Sequence, residues 1–303
     1  CPTPSPRSAS CRRLAGAAPL LLDGGTGTGL SARLTELRPG GNLTRLNLDN
    51  PEAVVGLHED HLRAGADVLR TNSFCASSQE LGADDAPYTA EQVSRTAAEL
   101  ARAAARRLDA AALCLGVIGP GAGTSEGVQP AGTDPGRIRG LLAGGVDGIL
   151  AETLPGVRAA RLIASAVREV TPSTPLLLSF SLTPEGRLPE GGSMEELARV
   201  ASELEADLVG LNCAFGPEPM EPPLTALRAA WRGPLGAWPN AGLPTLVNRE
   251  WEWPISPDAM ASWCARAVRA QALQIVGGCC GTTAGHVAAI AHALGSSGGA
   301  PRP

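Results

Sequence analysis

Along this chain short apolar runs alternate with longer amphipathic stretches, and the alternation repeats almost to the end of the sequence. The runs lie at 19–23, 67–71, 113–118, 148–152, 176–180, 208–212, 235–238 and 273–277. Each is brief and apolar at consecutive positions, the pattern of a parallel strand covered on both faces. Between them the apolar positions change to a helical period. Val93, Ala97, Leu100, Ala104 and Leu108 share one helix face, and Leu197, Val200, Ala201 and Leu204 repeat the pattern on a shorter element. Further helices are predicted at 51–64, 135–143, 157–168, 222–231, 257–272 and 283–294. Several open on a cap followed by proline, as in Asn50-Pro51, Asp134-Pro135 and Ser256-Pro257.

Eight strand–helix units in 303 residues predict an α/β fold, a (β/α)8 TIM barrel in a single domain. A doubly wound sheet is the alternative. The barrel is expected over 19–295, between a flexible N-terminal tail (1–18) and a disordered C-terminal tail (296–303). The Gly-, Thr- and Asn-rich segment 25–50 reads as a functional loop at the barrel mouth, with further loop insertions at 186–192 and 242–257.

Composition narrows the chemistry. With 44% hydrophobic and 18% charged residues the chain can bury a sizeable core, which disfavours disorder. No apolar run approaches the roughly 18 residues that span a bilayer. The net charge of −5 argues against broad binding to nucleic acid or an anionic membrane, and 3% aromatics leaves little for base stacking. All 25 cationic residues are arginine, so lysine Schiff-base and P-loop chemistry are excluded. Residues 1–13 carry prolines, serines and arginines without an apolar segment and read as a loose tail, not a signal peptide. The chain starts at Cys1, so the native N-terminus is expected to precede it. The eight cysteines lack the spacing of a secreted disulfide framework, which favours a reducing, cytoplasmic setting.

In a barrel the chemistry sits where strands end at the carboxyl face. The predicted strand ends carry Asp23-Gly24-Gly25, Thr71-Asn72-Ser73, Gly119-Pro120, Glu152-Thr153, Ser179, Asn212-Cys213, Pro239-Asn240 and Gly277-Gly278-Cys279-Cys280-Gly281. Three cysteines and two carboxylates thus converge on one rim. Three thiolates from two strand ends form an open tetrahedral set, and soft sulfur favours Zn²⁺ over Mg²⁺ or Ca²⁺. The competing reading is packing: a lone Cys213 is more often a small buried hydrophobe, and spacing alone leaves the two readings near even. Cys75, Cys114 and Cys264 lack partners and read as core or incidental. His58 and His61 fall within a helix, at its solvent face or its interface with the sheet, and His286 and His292 lie in the last helix. No histidine stands at a strand end, which speaks against a histidine metal site or general base.

Asp23-Gly24-Gly25-Thr26-Gly27-Thr28 at the first strand resembles the opening of one enzyme family. Gly65-Ala66-Asp67 through Thr71-Asn72-Ser73-Phe74, Gly119-Pro120, Glu152-Thr153, Asn212-Cys213, Pro239-Asn240-Ala241-Gly242 and Gly277-Gly278-Cys279-Cys280-Gly281-Thr282-Thr283 follow in that family's order. The chain is similar to the zinc-dependent homocysteine S-methyltransferases from about Leu20 to Leu294. The resemblance implies one zinc per chain held by Cys213, Cys279 and Cys280, with the sulfur of homocysteine as fourth ligand. It implies an ammonium site at Asp23 and Glu152, and amides around Gly24 and Gly25 for the substrate carboxylate. Thr71, Asn72 and Ser73 are polar pocket candidates, and Asn240 lines the pocket or approaches the metal. The expected donor is a sulfonium, S-methylmethionine or S-adenosylmethionine. Alternatives are a methyl-corrinoid on a separate protein, or methylation of a related thiol or selenol. Arg70 departs from the family, standing where an acidic residue is common.

Overall fold

In the computed structural model, which describes residues 16, 18–33, 41–82, 87–121, 131–247 and 250–295, the alternating pattern closes into a barrel. Its strands are β1 (Leu20–Leu21), β2 (Val68–Arg70), β3 (Leu113–Ile118), β4 (Gly148–Leu154), β5 (Leu176–Phe180), β6 (Leu208–Cys213) and β7 (Leu235–Pro239), with Ile275–Val276 as the eighth. The eighth strand pairs in parallel with β1 on one side and β7 on the other, and β2 to β7 follow in sequence order. A single bridge, Leu22 to Val68, joins β1 to β2 and completes the ring. The expected (β/α)8 TIM barrel is therefore what forms.

Parity explains which side chains fill it. Leu113, Leu115 and Val117 of β3 point into the barrel with Val68, Leu150, Leu177, Leu208 and Ile275, while the intervening positions pack against helices. The Trp238 indole occupies the interior above Gly210 and Gly236, where an added Cβ would come within 2.9 and 2.7 Å of its ring. At the amino-terminal face, alternate strands receive a side-chain acceptor in place of a ladder partner. An amide at or next to the start of each of β1, β3, β5 and β7 (Leu21, Cys114, Leu176 and Leu235) donates to Asp67, Asp147, Asp207 and Gln274 respectively, at 2.7–3.0 Å. These polar residues sit far from the strand ends that carry chemistry, on the face that serves stability.

Two segments are more ordered than expected. The stretch read as a mouth loop contains a helix, α1 (Thr26–Arg33), a 3-10 turn (Leu43–Arg45) and a short helix (Leu46–Asp49); its residues 34–40 lie outside the described ones. The insertion at 242–257 holds an antiparallel hairpin, Thr245–Val247 with Glu250–Glu252, in which Leu246 faces Trp251. Short elements of this kind carry too few residues for periodicity to reveal. The tail residues 1–15 and 296–303, with Cys1 and Cys11, lie outside the described residues.

Candidate metal centre and acceptor pocket

The carboxyl ends of the strands surround a cavity of about 660 Å³, bordered among others by Glu152, Cys213, Cys279, Cys280, Phe74 and Thr44. The sulfurs of Cys213, Cys279 and Cys280 all lie within 4.8 Å of one another. Three tetrahedral Zn–S bonds of about 2.3 Å require sulfurs about 3.8 Å apart, so the set fits a metal ion after a small contraction. The adjacent thiols of Cys213 and Cys280 hold the Cys279 thiol well below the ordinary value, with the Arg70 charge adding to the effect. The Cys213 thiol is pushed up in turn.

Backbone strain places these sulfurs. Cys213 and Ala214 adopt φ of 60° and 58°, and Thr153 a φ of 62°, all in the left-handed region that costs a non-glycine residue about 1 kcal/mol or more. Two asparagines hold the strained ends. The Asn212 Oδ1 accepts from Ser179 Oγ at 2.6 Å and from the Thr153 amide at 3.1 Å, and its Nδ2 donates to Thr153 Oγ1 at 2.8 Å. Strand ends four, five and six are thereby locked together. Asn240 joins the two cysteine loops: its Nδ2 donates to the Ala214 carbonyl at 2.7 Å, and its Oδ1 accepts from the Cys280 amide at 3.0 Å. Asn240 thus braces the sulfur site and does not border the cavity. Gly281, at φ 78°, lies under the Trp253 ring, where any Cβ would clash at 2.0 Å.

Beside the sulfurs is a buried charge cluster. Arg70 Nε donates to Asp23 Oδ1 and its backbone N–H to Asp23 Oδ2, at 2.7 and 2.8 Å. Nη1 donates to Glu152 Oε1 at 2.7 Å, and Nη2 to the carbonyls of Gly24 and Gly278 at 2.7 and 2.8 Å. Burial pulls the guanidinium down, but Glu152 and Asp23 outweigh it and hold it charged. Glu152 Oε1 also accepts from Trp238 Nε1 at 2.8 Å. Burial raises the Glu152 carboxyl, with Arg70 opposing. Behind the cluster His58 and His61 are fully buried at the helix–sheet interface, and burial lowers both to about 4.

The remaining candidates divide. Thr71 and Asn72 border the cavity; Thr71 Oγ1 accepts from the Val117 amide at 2.9 Å, and Asn72 Nδ2 donates to the Leu43 carbonyl at 2.9 Å. Ser73 is wholly buried and donates to the Val117 carbonyl. Gly25 borders the cavity, but its amide is spent on Thr282; Gly24 packs against Thr282 and His61, too close for a Cβ. Thr26 and Gly27 follow, so the first turn of α1, whose amides have no partner within the helix, borders the space. Cys75, read from the sequence as incidental, also lines it, its thiol pushed up to about 11 by burial and by Glu80. Sequence reasoning named no role for Arg70 or Asn212; an arginine at the inward parity of an apolar strand was the available signal.

A barrel with three convergent cysteines at its carboxyl rim defines the class, and the family model of homocysteine S-methyltransferase matches residues 20–294. The chain belongs to that family. It is 32% identical over 263 residues to the methionine synthase of Mycobacterium leprae (strain TN), a match covering 82% of this chain and 22% of that protein. The methionine synthase of Mycobacterium tuberculosis (strain ATCC 25618 / H37Rv) is 31% identical over 267 residues, with the same coverage. The chain thus spans about a fifth of the length of these relatives. Among solved structures, the metallated form of the homocysteine methyltransferase MmuM from Escherichia coli is similar with a TM-score of 0.74 and 25% identity, covering 90% of this chain and 95% of that one.

Proposed function

We propose that this barrel, residues 19–295, transfers a methyl group to the thiol of homocysteine and gives methionine. The observation that carries the reading is the meeting of three cysteine sulfurs within 4.8 Å at the edge of a cavity that also contains Glu152. One zinc ion per chain, held by Cys213, Cys279 and Cys280, would supply the acidity that keeps the acceptor sulfur deprotonated near neutral pH. The chain's own residues orient the acceptor. Its ammonium end faces the Asp23–Arg70–Glu152 cluster, and its carboxylate the first-turn amides of α1 beyond Gly24 and Gly25. The acceptor sulfur then attacks the donor's methyl carbon in line; a sulfur–carbon bond forms as the donor's breaks, and a sulfonium leaves as a neutral thioether.

A sulfonium donor, S-methylmethionine or S-adenosylmethionine, suits a cavity bordered by Phe74, Glu80 and Glu152. The alternative donor, a methyl-corrinoid on a separate protein, is supported by the likeness to methionine synthases about four times as long as this chain. A cytoplasmic setting is supported by the six described cysteines, all free. No helix among the described residues is long and apolar enough to cross a membrane. Purified protein incubated with homocysteine and S-methylmethionine should form methionine and retain about one zinc per chain. A metal-free protein with full activity would overturn the zinc, and methionine formed only with an added corrinoid protein would overturn the sulfonium donor.

A further inference from the structure

Asp23 and Glu152 do not stand equally before the cavity. Both carboxylate oxygens of Asp23 are occupied by Arg70, its side-chain Nε and its backbone amide, and Asp23 is completely buried and does not border the space. Glu152 does border it. Its Oε1 is shared by Arg70 and Trp238, and its Oε2 has no hydrogen-bond partner among the described residues, although Glu152 is only 6% exposed. The charges make the same point. One guanidinium and two carboxylates leave the cluster at −1, and a buried net charge beside a low-dielectric cavity calls for one more cation.

We infer that Arg70 takes the place of half of an ammonium site. The acceptor's ammonium is held by Glu152 Oε2, Asp23 is a positioning residue acting through Arg70, and Arg70 sets acceptor specificity by denying the ammonium its second carboxylate. This rests on the reading of the cavity as the site for an amino-acid thiol. A guanidinium locked by five hydrogen bonds to Asp23, Glu152, Gly24 and Gly278 has no freedom to withdraw on binding. The acceptor class is therefore an amino-acid thiol recognised through one charge-assisted contact. Loss of that contact amounts to about a tenfold or larger change in affinity.

The test compares calorimetric binding of homocysteine with that of 4-mercaptobutanoate, which keeps the thiol and carboxylate but lacks the ammonium, to the zinc-loaded protein. Wild type should prefer homocysteine about tenfold or more. Glu152→Gln should erase the preference. The double variant Asp23→Asn/Arg70→Gln, which keeps the cluster at −1 and leaves Glu152 as its one carboxylate, should keep it within about threefold. Arg70→Gln alone, where it folds, frees Asp23 and should increase it about tenfold. A double variant that loses the preference as Glu152→Gln does, or a Glu152→Gln protein that keeps it, would overturn the inference. Binding in the expected pattern without methionine formation would instead break the proposed reaction and leave this assignment standing.

Discussion

The two sides of the cavity are built on opposite principles. On the sulfur side, Cys213 and Ala214 sit on left-handed backbone, and hydrogen bonds from Asn212 and Asn240 hold the loops in place. On the charged side, Arg70 extends from a regular strand and every contact it makes is short and buried. The sulfur side stays incomplete without a metal ion. The charged side is complete except for one carboxylate oxygen. Damage to the first should therefore abolish chemistry while sparing the fold, and damage to the second should strike the fold first.

The largest effect is expected at the sulfurs. Cys279→Ala should lower methionine formation by about a thousandfold or more, roughly 4 kcal/mol of transition-state stabilisation, and remove bound zinc. Its denaturation midpoint as an apoprotein should stay near that of the wild-type apoprotein; a collapse there would erase the contrast drawn above. Arg70→Leu should do the reverse, costing roughly 3–5 kcal/mol in urea unfolding because Asp23 and Glu152 are left buried without a counter-charge. An unchanged unfolding curve would mean that water reaches the cluster.

Acidification probes the layer behind the charged side. His58 and His61 have folded-state values of about 4 against 6.5 in the unfolded chain. The unfolded state therefore binds more protons between those values, and stability present above pH 6.5 is lost as pH falls towards 4. Each histidine accounts for up to about 3 kcal/mol. Thermal melts at pH 7 and 4.5 should show a smaller acid loss in His58→Leu than in wild type. The smallest effect is expected at the brace: Asn212→Ala should cost about 1–3 kcal/mol in stability and about tenfold in zinc affinity, read by chelator competition. If zinc affinity stays at the wild-type value, the strained turns hold themselves.

Much of this was legible in the sequence, and the reasons differ by residue. The barrel was readable because eight runs such as 113–118 and 176–180 are apolar at consecutive positions, a signal that survives without any knowledge of contacts. The convergence of Cys213 with Cys279 and Cys280 followed from strand-end position alone. What remained hidden depends on distance in the chain. Asp23 and Arg70 are 47 residues apart, and Arg70 and Glu152 82 apart. No spacing rule tells which of two strand-end carboxylates an inward arginine will claim. Asn212, adjacent to a cysteine that drew attention, showed no sign in sequence of its bonds to Ser179 and Thr153. The strand pair Thr245–Val247 and Glu250–Glu252 was missed because three-residue strands carry no readable period.

The single bridge between Leu22 and Val68 makes the β1–β2 seam the thinnest part of the ring. Among the described residues, the backbone bonds Asp67 to Leu21 and Asp23 to Val68 cross it. Arg70 spans the same seam from β2 to Asp23 and also reaches the carbonyl of Gly278, just past the eighth strand. The arginine beside the pocket is thus also a rivet across the place where the ring would first breathe open. In amide-exchange terms, the protons of Asp23 and Asp67 gauge that breathing, and a ligand that settles on Glu152 tightens the seam from the far side of the rivet.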